Sequence, residues 1–340
     1  MKTTSLAIAL LSILPLAAHA QTNVTIYGVA DASIGSEDAD APGVGRRTVI
    51  SSGTQSTSRI GFRGTEDLGN GLKALFNIEA GVALDNGAAD AAGLFQRRAV
   101  VGLQGAFGTV TVGREYSPIA IVILASDPLG HGFYGSSLAG FGANRATRRL
   151  SNSVNYKSEA MSGFTALAAY SAGERTPNDP SGDLAGGALE YRNGPVYLGA
   201  GYHQVERLAT GDDKELAFGA GLTFGAFEVR GSYMQADLTG PNNEFEHFIL
   251  GGSFTAGANK FFLAAHQQRQ EAGNGRGNGF SLAYTYTLSK RTNLYTSYAR
   301  VNNNGTGNFG LASAGGSFNP PATAFGADPS VFNVGVRHSF

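Results

Sequence analysis

Residues 280–288 read FSLAYTYTL, and the order of side chains in this stretch decides the fold. Phe280, Leu282, Tyr284, Tyr286 and Leu288 fall on one side of an extended chain, with Ser281, Ala283, Thr285 and Thr287 on the other. Alternation with period two marks a β-strand that has one apolar face. The pattern recurs at 216–224 (LAFGAGLTF). It recurs again at 332–340, where Phe332, Val334, Val336 and Phe340 oppose Asn333, Gly335, Arg337 and Ser339. Only His338 interrupts that last apolar face. The opposite faces are small and glycine-rich, whereas a soluble sandwich would be expected to turn a more charged face to water.

The connections alternate in length. Tight turns fall at 67–71, 105–108, 192–195, 225–226, 257–259 and 289–291, and longer stretches at 35–54, 85–94, 173–183, 207–213, 238–243, 271–278 and 303–329. The longer ones are rich in Gly, Asn, Asp, Ser and Pro, as loops are. Counting the runs gives about sixteen strands, the first beginning near 23 and the last near 331. An even count with short turns at one end and long loops at the other describes an all-β, antiparallel transmembrane β-barrel. Residues 21–340 form that one domain.

Residues 1–20 read as an export leader. Lys2 supplies the positive start, Leu6 to Leu16 the apolar run, and Ala18-His19-Ala20 the small-x-small cleavage pattern. Removing Lys2 takes the formal charge of −1 to about −2. No later stretch reaches the ~18 apolar residues of a spanning helix, so an exported chain is left to be soluble or to cross a membrane as a barrel.

Composition removes several function classes. A formal charge of −1 is not the basic field of a nucleic-acid binder. Zero cysteines exclude disulfides, thiolate metal sites and cysteine nucleophiles. The six histidines are scattered without metal-ligand spacing, and neither a G-x-S-x-G elbow nor a P-loop occurs. No cofactor or metal is expected. The 49 glycines are roughly twice the ordinary share of ~7%, without a collagen period.

The connection at 115–150 is much longer than the others and carries IAIVILAS and then PLGHGFYGSSLAGFG. Connections of this length are uncommon and usually functional. On the surface its Phe133, Tyr134 and Phe141 would sit in water. Folded into the barrel, it would bury them and narrow the lumen.

Three segments carry a family likeness: VTIYGVADASI (24–34), SRIGFRGTEDLGNGLKALFNIE (58–79) and QRRAVVGLQGAFGTVTVGREYSP (96–118). With the ending VGVRHSF, the chain resembles the Gram-negative general diffusion porins, and most closely their trimeric beta-proteobacterial group. The resemblance implies a 16-stranded homotrimer in the outer membrane, with the third loop folded into the lumen as a constriction. It also implies that Phe340 is the signal read by the barrel-assembly machinery. Its arginine cluster would map to Arg59, Arg97 and Arg149, with Arg114 beside the third loop. Two positions depart from the family: Val29 stands where some members carry lysine, and Pro128-Leu129-Gly130-His131-Gly132-Phe133 replaces an acidic segment. Glu115 and Asp127 are the acids left around that loop.

Parity gives an independent reading of the wall. Arg59, Gly61 and Arg63 project to one side and Ile60 and Phe62 to the other. A lipid-facing arginine costs ~2–4 kcal/mol at the midplane, so Arg59 and Arg63 are expected inside. Arg98 has the opposite parity to Arg97 and is expected outside. With Arg145 and Arg148 also near the proposed constriction, the balance over Glu115 and Asp127 is positive, which predicts a modest preference for anions. The leading reading is a passive channel for small hydrophilic solutes and ions. A substrate-specific channel is its nearest rival, and a surface adhesin or a barrel-borne lipid hydrolase is more distant.

Overall fold

The structure, a computed structural model, describes residues 23–89, 93–175, 181–207 and 211–340; the expected leader at 1–20 lies outside them. The chain begins with β1 (Asn23–Asp38), β2 (Arg47–Ser52), β3 (Arg59–Gly69), β4 (Leu72–Gly81), β5 (Arg98–Gly105) and β6 (Gly108–Tyr116). A helix, α1 (Pro118–Ser126), follows, and then β7 (Arg149–Lys157), β8 (Phe164–Ser171), β9 (Leu184–Asn193) and β10 (Val196–Val205). Next come β11 (Asp213–Phe224), β12 (Phe227–Asp237), β13 (Glu244–Ala256), β14 (Asn259–Gln270), β15 (Gly275–Thr287) and β16 (Thr292–Asn303). A small hairpin, β17 (Leu311–Ser313) and β18 (Gly316–Phe318), precedes the final strand, β19 (Ser330–Ser339).

Strand β1 pairs antiparallel with β19 on one side and with both β2 and β3 on the other, which closes the sheet. Segments β2 and β3 are two halves of one wall strand, so the barrel has sixteen antiparallel strands. Asp31 fills the gap between those halves. Its carbonyl accepts from Gly53 N at 2.8 Å, and its carboxylate accepts from Ser56 N at 2.7 Å. The loop expected at 35–54 is therefore shorter than its composition suggested, because 47–52 continues the wall.

Burial along the strands is inverted relative to a soluble protein. Phe218, Phe248, Leu250, Leu263 and Leu282 are exposed on the outer face, while Glu215, His247, Gln268 and Asn333 are buried inside. Only a hydrocarbon surround makes that arrangement favourable. Aromatic rings line the outer wall beside the tight turns, with Phe224 and Phe227 stacked at 5.5 Å and Phe261 and Tyr284 at 5.0 Å.

The long third connection folds inward. Its helix α1 is apolar on every side, begins at Pro118 and is capped by the Ser117 hydroxyl, which accepts from Ala120 N at 3.2 Å. Ile119, Val122 and Ile123 are fully buried against β9–β12. Wall glycines make the space: a Cβ at Gly219 would stand 2.3 Å from Ser126 Oγ, and one at Gly201 3.0 Å from an Ile119 methyl. Further along the loop, Leu129 and Phe133 pack on Ile249, Ala264 and Tyr295.

The last connection also turns inward. Gly135 N donates to Ala312 O at 3.0 Å, Ala314 N to Gly132 O at 2.8 Å, and Gln268 Nε2 to Gly310 O at 3.0 Å. Phe309, Leu311 and Phe318 join an internal apolar cluster with Tyr134 and Val301. The composition of 303–329 read as an ordinary surface loop; in the fold it backs the third loop.

Candidate functional site

Two wall strands and one strand entry bring Arg59, Glu79 and Arg97 together. Phe76 and Ile78 alternate with Asn77 and Glu79 on β4, and Glu79 lies opposite Gly61 of β3. Arg59 Nε is 3.3 Å from Glu79 Oε2, and Arg97 Nε is 2.5 Å from Glu79 Oε1. Tyr27 donates its hydroxyl to Asn77 Oδ1 at 2.9 Å and to Glu79 Oε2 at 3.1 Å. The Tyr27 ring covers Gly61, where a Cβ would come within 2.4 Å of it, and Arg63 lies over the ring at 5.1 Å. Arg59 and Arg63 thus occupy the inner face, as parity requires.

A second group faces the first. Arg149 lies 4.4 Å from the centre of the Tyr116 ring, and its Nη2 donates to the Tyr116 hydroxyl at 2.8 Å. Arg148 lies 5.9 Å from the same ring. Arg97, Arg148 and Arg149 line an open cavity of about 770 Å³, with Ser51, Ser58 and Tyr134 on its other walls. Burial holds Arg148 down to about 10, helped by Arg149 beside it; it therefore stays charged at neutral pH. Arg337, on the inner face of β19, adds another cation and donates from Nε to Ser56 Oγ at 2.8 Å.

The remaining expected residues fall elsewhere. Asp127 is buried inside the third loop and does not line the passage. It accepts from Leu129 N at 2.7 Å and from Ser137 N at 2.8 Å, so it organises the loop. Glu115 faces inward but pairs with Arg98, in a separate cavity of about 320 Å³ lined also by α1 residues Pro118 and Ile121. Arg98 is therefore inside, contrary to the expectation from parity. It stands directly opposite Glu79 in the register, whereas Arg97 precedes the strand, where alternation does not apply. Arg114 is opposite Ala99, on the face that carries Val101 and Leu103, and donates to Gln96 O and Ser151 Oγ at 2.6 Å each. It belongs to the outer side of the wall rather than to the lumen. Arg145, partly buried within the loop, lies 4.4 Å from the Phe245 ring and donates to Ala139 O.

Glu79, Tyr27, Tyr116 and Arg337 were not singled out from the sequence as parts of this site. The parity of LKALFNIE held the signal for Glu79, since Phe76 and Ile78 on the lipid side force Asn77 and Glu79 inward. Phe340 closes the seam: Gly28 and Phe340 exchange N–H···O bonds of 3.1 Å, and the ring lies over Gly28.

Residues 4–306 match the family model for Gram-negative porins. The chain belongs to the Gram-negative porin family. The porin is 33% identical to outer membrane porin protein 32 of Delftia acidovorans, over 95% of this chain and 96% of that one. It is 31% identical to an outer membrane porin of Bordetella pertussis over the full length of both. Among solved structures, an anion-selective porin from Comamonas acidovorans superposes with a TM-score of 0.83 at 30% identity, covering 94% of this chain and all of that one. This porin is an outer-membrane channel protein.

Proposed function

We propose that this porin is a passive diffusion channel for small hydrophilic solutes with a modest preference for anions, working as a homotrimer. The observation that carries the reading is that Arg59 and Arg97 share the carboxylate of Glu79, while Arg97, Arg148 and Arg149 line one cavity whose acids are Asp85 and Glu37, the latter paired with Arg47. Ions respond to the charge at the narrow section, and rings of arginine select anions. Screening over ~8–10 Å keeps acids in the outer loops from cancelling that field. The solved relative described as an anion-selective porin supports the same sign. Residues 1–20 are the export leader of this reading, so the mature chain starts at Gln21.

In planar bilayers with a potassium chloride gradient, the reversal potential should show chloride favoured, with the preference shrinking as salt rises. Replacing Arg97 by Gln should reduce the permeability ratio roughly twofold while leaving conduction intact. Cation preference in the unmodified protein would overturn the assignment.

A further inference from the structure

We propose that His203 and Glu215 are positioning residues that fix both roots of the inward loop and thereby place the arginines at its end. The two face each other across β10 and β11 as direct register partners, and both side chains are buried. His203 Nδ1 lies 3.0 Å from Glu215 Oε2, and His203 Nε2 accepts from Ile119 N at 3.4 Å. One tautomer satisfies both contacts: the proton sits on Nδ1, and Nε2 is free to accept. Glu215 then takes the other root, accepting from Thr147 N at 3.0 Å and from the Thr147 hydroxyl at 2.6 Å. Ile119 is the second residue of α1, and Thr147 immediately precedes Arg148 and Arg149.

The roots are also tied to each other. Ser117 N donates to Arg148 O at 3.1 Å, and Ser117 Oγ donates to Thr147 O at 2.7 Å. These bonds extend the β6–β7 pairing past Tyr116 and Arg149 and keep the entry and exit of the loop side by side, but they do not fix them to β10 and β11. The His203–Glu215 pair supplies that attachment. Burying a carboxylate and an imidazole is unfavourable unless their polar atoms are bonded. Here the bonds go to the peptide groups at which the loop leaves and rejoins the barrel, and an apolar pair filling the same volume would leave Ile119 N and Thr147 N without partners.

The inference rests on the constriction assigned above, but its test separates the two. The unmodified reversal potential tests the constriction; a change on substitution tests the pair. His203→Ala and Glu215→Ala should each shift the chloride-to-potassium permeability ratio about twofold and make the open-channel current noisier. The barrel, judged by heat-modified gel mobility, should be unchanged. The double variant should be no worse than either single one, because the two residues act as a unit. Glu215→Gln keeps an acceptor for Thr147 and should restore most of the wild-type ratio, which a general packing role would not require. If the alanine variants do not assemble, Thr147→Val removes only the hydroxyl contact and should give a smaller shift in the same direction. Wild-type conductance and selectivity in folded His203→Ala and Glu215→Ala, or in Thr147→Val where those do not fold, would overturn the proposal.

Discussion

Glu79 holds two of the arginines proposed to line the constriction, and its own removal is informative. Glu79→Gln keeps the shape and takes away one negative charge from beside Arg59 and Arg97. The pore should then favour chloride more strongly, by roughly twofold in permeability ratio, as read from reversal potentials. A fall in anion preference would mean that the arginines need Glu79 to stay in the passage. Titration inside the loop gives a second expectation. Burial holds His131 at about 4 despite the opposing pull of Asp127, with Arg148 adding to the lowering. Against burial, the His131 ring 3.8 Å away and hydrogen bonds from Ser137 hold the Asp127 carboxyl below its usual range. A detached loop would bind a proton on His131 from pH ~6.5 downward that the docked loop does not, so docking weakens as pH falls towards 4. Asp127 adds to the loss at still lower pH, because its stabilisation is present only while it is ionised. Single-channel recordings between pH 7 and 4 should show closures or current noise increasing through that window. Steady currents down to pH 4 would contradict it.

At the scale of elements, the barrel depends on its closing seam. Strands β1 and β19 pair from Val29 with Ser339 to Asp38 with Ser330, and Phe340 adds one further reciprocal pair with Gly28. The close approach there is strict: a Cβ at Gly28 would lie 2.3 Å from the Phe340 ring and 2.6 Å from Arg59 O. Phe340 is half exposed on the outer face, so its loss removes little internal packing. Deleting it should lower the amount of folded porin in the membrane severalfold and leave the heat stability of assembled barrels within a few degrees. Normal assembly rate and yield would show that the terminal aromatic is not the signal. Loop docking follows a different rule from strand pairing. The third loop is held by wall residues of β9–β16 and backed by the β17–β18 hairpin, so its path is set by contacts between segments far apart in sequence.

For the whole molecule, the exposed apolar band explains why the chain needs lipid or a copy of itself. The outer face of β1 offers Ala30 and Ala32 beside Gly28, which is already covered by Phe340. Arg114 on the outer side of β5–β7 marks another stretch of wall unsuited to hydrocarbon, where a charge costs ~2–4 kcal/mol near the midplane. Both features support a subunit contact. Native mass spectrometry in mild detergent should give three chains per particle, and a monomer as the sole species would count decisively against the trimer.

The barrel was legible in the order of residues because period-two alternation is a local property: each strand states its two faces by itself. The same rule placed Arg59 and Arg63 inside, and the aromatic insertion at 115–150 announced a loop that had to be buried. Local parity fails where the ladder does, at strand entries and bulges. Arg97 and Arg98 both point inward because one precedes the strand and the other belongs to it. The partners of β6 shift in register between Gly113 and Glu115, while Arg114 and Glu115, as neighbours, fall on opposite faces by ordinary alternation. Asp127 was expected in the passage and is instead buried, because its carboxylate is consumed by peptide groups of its own loop. Which acids stand beside the arginines, and where both inward loops rest, was decided only by the closed tertiary structure. Those contacts join residues such as Thr57 and Ala314, whose meeting exists only once the barrel has closed around them.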